Sequence, residues 1–526
     1  MSLEEFLHNL HFDIDKANQP NWEVDWEDAP LAYKLYRGLP VAPLSEEVPL
    51  TLTGGEPSAK LDINRVGHFL WYVFGLTQLS QSVLQIDSTD QDTFPMQSYR
   101  RYAPSGGALY PNELYVYLKV EGLPDGVYHY DVAHYSLVLL REGNFDFYLA
   151  RALGNRCDIP SCFGIVFVST MFWKNFFKYN NFAYRLQGLD AGVLIGQLME
   201  VAKRFGFATG VYFQFLDTAI NHLLGLSDLE ESVYSVIPLS VEATNWSMSG
   251  EDRHKNIIAD ELKQELPAIQ TNHFERSLRI KEYPMITAMN KASNLESTWS
   301  FREIKGRTIA EYGENTVTLP HTKSLPYDLL AEICKNRFSP DMDFVLEKVD
   351  QQQLAALLQE AMAAFSYRND LDVAYNNDPP RVTIYSSLYM VEGIPNGAYY
   401  YDSTEHMLRE IRPGDHRLHL QNGMSFNNVN LLQVPICLHV AGDKDFYKKE
   451  LGYRGYRIQQ MEAGMLVQRL LLAASALGMG GHPLLGFDAN LSDELYKIDR
   501  QGRTSLIQLP IGPYRPRPML KGSLHG

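Results

Sequence analysis

Lys178 and Tyr179 are adjacent side chains of the types that move protons. A lysine acts as a base when burial lowers its pKa, because desolvation disfavours the ammonium, and a neighbouring phenol can relay the proton or orient a ring. The plain alternative is a surface lysine beside a packing tyrosine. Residues 98–118 read Ser-Tyr-Arg-Arg-Tyr-Ala-Pro-Ser-Gly-Gly-Ala-Leu-Tyr-Pro-Asn-Glu-Leu-Tyr-Val-Tyr-Leu. Within them Ser105, Gly106, Gly107 and Ala108 offer a hydroxyl and backbone N–H groups without Cβ obstruction, which suits close approach of a ligand or its phosphate. Here the alternative is a Gly-rich turn before a strand. A third run, Leu477-Gly478-Met479-Gly480-Gly481-His482, follows an apolar stretch. Gly478 reads there as an ordinary left-handed helix cap.

Other chemistries are disfavoured. No G-x-G-x-x-G follows a strand, so a dinucleotide-binding fold is not supported. Cys157 and Cys162 form a C-x4-C without a second pair, so no metal site is expected. With Cys334 and Cys437 they are too few for a disulfide framework, as in a reducing cytoplasm. The 47 basic residues against 63 acidic ones give a net charge of −16, which repels phosphate backbones and argues against a nucleic-acid partner. Met1-Ser2-Leu3-Glu4-Glu5 carries acid where a signal peptide carries base. The longest apolar stretches, 193–202 and 470–477, fall well short of the ~20 residues of a membrane span. The expectation is a soluble, cytoplasmic protein without membrane contact.

Adjacent residues of a regular strand point to opposite faces, so Lys178 and Tyr179 serve one site only from a helical or irregular segment. Apolar periodicity predicts helices over 66–76 and 352–365, the second behind a cap at Asp350, and long helices over 191–205 and 463–477. Strands are predicted at 114–120 and, after a Pro-Asp-Gly turn at 124–126, through Val127-Tyr128-His129-Tyr130. Further strands are predicted at 165–169 and 436–440, with short closing strands near Val236 and Leu506. Helices interleaved with an antiparallel sheet make an α+β protein.

The chain repeats itself. Residues 122–131 recur at 393–402 with six identities in ten, and 184–192 recur at 456–464 with five in nine. A near-constant offset of 271 to 272 over more than a hundred residues marks a duplicated domain, a dimer fused into one chain. The expected division is an N-terminal arm (1–60), a first domain (61–245), a polar connection (246–320) and a second domain (321–526).

The 98–118 segment resembles the nitroreductase superfamily and, within it, the FMN-dependent azoline oxidases of the streptolysin-type dehydrogenase branch. That resemblance implies two tandem nitroreductase-like domains forming an intrachain pseudo-dimer with FMN at the interface. The implied cofactor residues are Arg101, Ser105, Gly106, Gly107 and Ala108 from the first copy. From the second come Arg337 and Ser339 of an Arg-x-Ser, Gly480 and Gly481 beside the flavin ring, and the terminal bases Arg515 and Arg517. Asp341 departs from the base usual there. The first copy shows no Arg-x-Ser, and the second has Asn377-Asp378-Pro379-Pro380-Arg381 in place of Ser-Gly-Gly-Ala. Each copy lacks what the other keeps, so one composite site is expected. Lys178 and Tyr179 match the branch's catalytic pair, whereas the second copy has Glu450 and Leu451 there. The implied function is oxidation of thiazolines or oxazolines to azoles in a ribosomal precursor peptide, beside a cyclodehydratase. The alternatives are a general NAD(P)H-dependent nitroreductase and a non-catalytic scaffold of a biosynthetic complex.

Overall fold

The computed structural model describes residues 1–52, 61–85, 93–244, 256–304, 312, 315–325, 327–363, 365–372, 379–516 and 520–523. Each copy builds a seven-stranded antiparallel sheet with the same strand order. In the first copy, Asn112–Leu118 pairs with Gly126–Asp131 on one side and Gly164–Met171 on the other, and Glu231–Ser240 lies beyond. In the second, Thr383–Leu388, Gly397–Asp402, Ile436–Asp443 and Arg503–Gly512 repeat that arrangement. The central strands are buried along their whole length, which explains their continuous apolar runs. The closing strands expected to be short are ten residues each.

Helix Ile63–Phe74 starts earlier than periodicity predicts because Asp62 caps it, accepting from the Arg65 amide at 3.0 Å. It stops at Gly75, and Leu76 opens a strand instead of continuing the helix. The long helices, Ala183–Arg204 and Arg454–Ala476, begin eight or nine residues before the expected starts and are buried almost all round.

These two helices pack against each other, with residues meeting their repeat equivalents or close neighbours of these. Tyr184 stacks on Tyr456 with ring centroids 6.0 Å apart and planes 12° from parallel. A Cβ at Gly192 would overlap the Met461 carbonyl, and one at Gly464 would overlap the Leu189 carbonyl. Gln468 donates to Gln197 at 2.7 Å. Self-contact of equivalents is what an isologous dimer interface requires.

The copies also differ. The first carries a hairpin, Leu76–Gln85 and Thr93–Arg101, and Leu520–Ser523 from the far end of the chain adds to it as a third strand. The second carries helix Leu330–Asn336 and the segment after it, ahead of helix Gln351–Ala363. The N-terminal helix, Leu3–Phe12, has a capping box from Ser2 and Glu5 and bridges both copies. Glu4 pairs with Lys448, and the Leu10 carbonyl accepts from Arg185 at 3.4 Å. The connection is structured over 256–304, and its Leu278 and Arg279 amides donate to Asp28 of the arm. No helix among the described residues is long and apolar enough to cross a membrane.

Candidate active site

The Ser-Gly-Gly-Ala segment forms a tight turn with φ of +64° at Gly107, +56° at Ala108 and +50° at Tyr110. Two non-glycine residues in the left-handed region cost free energy, so the surroundings must impose the turn. Asp190 of the first long helix does so: its carboxylate accepts from the Ser105 hydroxyl at 2.5 Å and from the Gly106 amide at 3.0 Å. The Tyr110 amide in turn donates to the Ser105 oxygen at 2.9 Å. The hydroxyl that the sequence offers to a ligand is thus committed to shaping the turn. Burial pushes the Asp190 carboxyl up to about 6, against the two hydrogen bonds that favour its ionised form.

Lys178 and Tyr179 lie in the last turn of helix Trp173–Tyr179, which is the helical setting their adjacency demands. Both border Gly107: a Cβ there would strike the Tyr179 hydroxyl and lie 2.9 Å from Lys178 Nζ. Glycine suits that position, because its φ is left-handed and a Cβ would have to displace the tips of both side chains. Lys178 Nζ lies 4.9 Å from the centre of the Tyr179 ring and 5.4 Å from that of Trp26. Burial lowers the Lys178 ammonium from its ordinary value and raises the Tyr179 phenol to about 12.

The second copy enters through Arg337, which follows helix Leu330–Asn336. Its carbonyl accepts from Arg100 of the first copy, and Arg100 also donates to Gln78 at 3.2 Å. Arg337 is buried, its Nε has no hydrogen-bond partner, and burial first and then the neighbouring Arg100 pull it down to about 9. A buried cation with an unused donor, Arg337, beside the half-buried Arg100 suits an anion with several acceptor oxygens.

Arg101 is placed differently. It stacks between Phe74 and Tyr110, 4.1 and 4.5 Å from the ring centres, and donates to the Ala32 carbonyl. Its amide also donates to the Tyr110 hydroxyl at 3.1 Å. Its Nε and one Nη have no hydrogen-bond partner, and Arg100, the preceding residue, donates to the Arg337 carbonyl. Ser339 is half-buried beyond Arg337. Gly480 and Gly481 form a short strand against Gly512 and Ile511, and Gly481 donates to the Phe338 carbonyl at 3.2 Å. A Cβ at Gly480 would strike Pro340 and lie 2.9 Å from the Tyr514 ring, so this glycine is needed for packing. Gly478 is left-handed at φ +74°, as a helix cap. Arg515 is anchored by its amide on Asp343 while its side chain is exposed, and Arg517 lies outside the described residues. Asp341 pairs with His482 at 3.0 Å.

At the equivalent place in the second copy, the repeat sets Glu462 opposite Asp190 and Arg381 opposite Tyr110. These two pair directly, with Arg381 Nε 2.9 and 2.8 Å from the carboxylate oxygens, and Tyr367 and Asp372 join them. Asn377 and Asp378 lie outside the described residues. Glu450 is exposed and Leu451 buried, so the proton-moving pair has no counterpart there.

Residues 78–239 and 337–512, together more than half of the chain, match the nitroreductase family. The chain belongs to the nitroreductase family. It does so twice over, and that family is one of oxidoreductases that generally use flavin cofactors. A nitroreductase-family protein of Anabaena variabilis has the same overall architecture, with a TM-score of 0.71, 20% identity and coverage of 98% of this chain and 99% of its own. The trifolitoxin-processing protein TfxB of Rhizobium leguminosarum bv. trifolii is 28% identical over 145 residues, 26% of this chain and 38% of TfxB. A nitroreductase-family protein of Methanocaldococcus jannaschii is 28% identical over 131 residues, 24% of this chain and 63% of that protein. The chain thus spans less than two thirds of the length of either relative.

Sequence reasoning missed Asp190, Arg100, Tyr110 and Trp26. Asp190 had a signal: an acidic residue recurs at 190 and 462 within the matched repeat. The other three carried none, because their roles depend on segments distant in the chain.

Proposed function

We propose that the chain is an FMN-dependent dehydrogenase oxidising thiazoline or oxazoline rings to azoles in a ribosomally made precursor peptide. The observation that carries this reading is the convergence of Lys178 and Tyr179 on Gly107, with Arg100, which donates to the Arg337 carbonyl, five residues ahead of the same turn. TfxB, by its name a trifolitoxin-processing protein, supports a role in processing a biosynthetic product. The partners read accordingly are a cyclodehydratase that makes the azoline and the precursor peptide that bears it, in the cytoplasm. The same reading divides the chain into an arm (1–60), two domains (61–245 and 321–526) and a connection (246–320).

The residues present fit FMN. Arg337 and Arg100 would hold its phosphate, with Ser339 and the basic tail of Arg515 and Arg517 nearby in sequence. Gly106, Gly107 and Ala108 would admit its ring system, and Gly480 and Gly481 would border it. When bound, FMN supplies the acceptor for the hydride leaving one azoline ring carbon. Lys178, whose ammonium is disfavoured by burial, takes the proton from the adjacent carbon when in its amine form. Tyr179 stays protonated at neutral pH and orients the ring by donating a hydrogen bond. The ring loses one hydride and one proton and gains a double bond, and molecular oxygen is the terminal acceptor.

Because the second copy closes the equivalent place with Arg381 and Glu462, one flavin per chain is expected. Flavin released from the purified protein, identified and counted against protein concentration, tests the cofactor and the single site. Incubation with an azoline-containing peptide in air tests the reaction, which removes about 2 Da per ring by the loss of two hydrogens. Rapid NAD(P)H-dependent reduction of nitroaromatics with no azoline oxidation would favour the general nitroreductase, and protein without flavin would favour the scaffold.

A further inference from the structure

We infer that Trp26 of the N-terminal arm is the wall against which a planar substrate ring lies beside Lys178, and so determines substrate specificity. This rests on the proposed site and goes beyond it by assigning a residue outside both family-matching segments. Trp26 is 58% exposed, yet the arm is pinned on both sides of it. Four residues before, Trp22 donates its indole N–H to the Phe177 carbonyl at 3.0 Å and packs edge-on against Phe176. Two residues after, the Asp28 carboxylate accepts from the Leu278 and Arg279 amides at 2.8 Å each, and its carbonyl accepts from Ser277 at 2.7 Å.

The Trp26 ring itself meets Phe177 edge-on at 5.5 Å and faces Lys178 Nζ at 5.4 Å. A large aromatic held in place by its flanks and left more than half uncovered is pre-organised for a contact it does not make within the chain. Lys178 Nζ lies over both the Trp26 and the Tyr179 ring and 2.9 Å from where a Cβ of Gly107 would sit. A five-membered ring resting on the indole therefore has the amine at its edge, where the departing proton must be met. A near-planar five-membered ring with one C=N bond is the chemistry this wall suits, in preference to a branched aliphatic side chain.

The test compares Trp26→Ala, Trp26→Phe and Leu278→Ala with wild type, all as flavin-loaded full chains. Steady-state oxidation of a peptide bearing one methylthiazoline should show KM raised about tenfold in Trp26→Ala, with kcat within about threefold and flavin content unchanged. Trp26→Phe should recover most of the loss, and Leu278→Ala, an exposed residue of the facing segment, should match wild type. An unchanged KM in Trp26→Ala, or loss of flavin from both Trp26 variants, overturns the inference. If wild type acts only on nitrobenzene with NADPH and Trp26→Ala raises that KM, the azoline reading fails and the wall stands.

Discussion

Asp190 and Glu462 stand at equivalent places on the two long helices and hold opposite kinds of partner. Asp190 accepts from the Ser105 hydroxyl and the Gly106 amide, whereas Glu462 accepts from the Arg381 guanidinium. The first carboxylate organises a glycine-rich turn beside Lys178 and Tyr179. The second is consumed in a buried ion pair, which is costly to open because one charge would be left uncompensated. The two copies thus use equivalent carboxylates differently, one to shape a turn and one to hold an arginine.

The Asp190 carboxyl is raised to about 6 from an ordinary 3.8. A raised folded-state pKa contributes stability that is complete below about pH 3.8 and lost as pH rises through about 6. Asp190→Asn removes this titration. Denaturation across pH 4–6.5 should therefore show wild type losing up to about 3 kcal/mol more than the variant over that window.

Arg337→Ala should lower flavin affinity while the fold persists, because it removes a buried cation with an unused donor. Charge-assisted hydrogen bonds to a phosphate contribute roughly 1.5–3 kcal/mol, so the flavin Kd should rise about 10- to 100-fold. Titrating apo-protein with FMN by fluorescence quenching measures it. Arg101→Ala should act instead through the turn, reducing thermal stability along with flavin content.

Lys178→Ala should keep flavin and lose about 10²- to 10⁴-fold in azoline oxidation. Burial holds the Lys178 pKa below its ordinary value, so wild-type kcat/KM should rise with pH as the amine deprotonates. That acid limb should vanish in the variant. An identical pH profile in both would remove Lys178 from the reaction.

Gly192→Ala and Gly464→Ala each place a methyl on a backbone carbonyl of the opposite helix. Overpacking of this kind costs about 1–3 kcal/mol, and each variant should melt earlier than wild type. Because the two sites lie on the facing sides of the two long helices, the double variant should depart from additivity, since both methyls force the same separation of helices. Calorimetry on the three variants checks this.

Short-range rules in the chain made much of the fold legible. A repeat offset of 271 to 272, alternating and periodic apolar runs and a Pro-Asp-Gly turn were enough for a duplicated α+β protein. The separation of Ser105–Ala108 from Arg337–Ser339 onto different copies was legible too, since it needs only comparison of the halves. Cap positions shifted the helix ends, because Asp62 and Gly75 act through local hydrogen bonds that apolar periodicity does not register.

Tertiary structure alone decided which arginine meets Arg337. Arg100 and Arg101 are neighbours at the end of one strand, and strand geometry turns adjacent side chains to opposite faces, so register and packing chose between them. It also decided that Ser105 is spent on Asp190, 85 residues away, and that Trp26 of the arm stands over Lys178. It laid Leu520–Ser523 on the first copy's hairpin as well. The physical reason is common to all four: each contact joins segments far apart in the chain, and only the packing of the two copies and their arms brings them within reach.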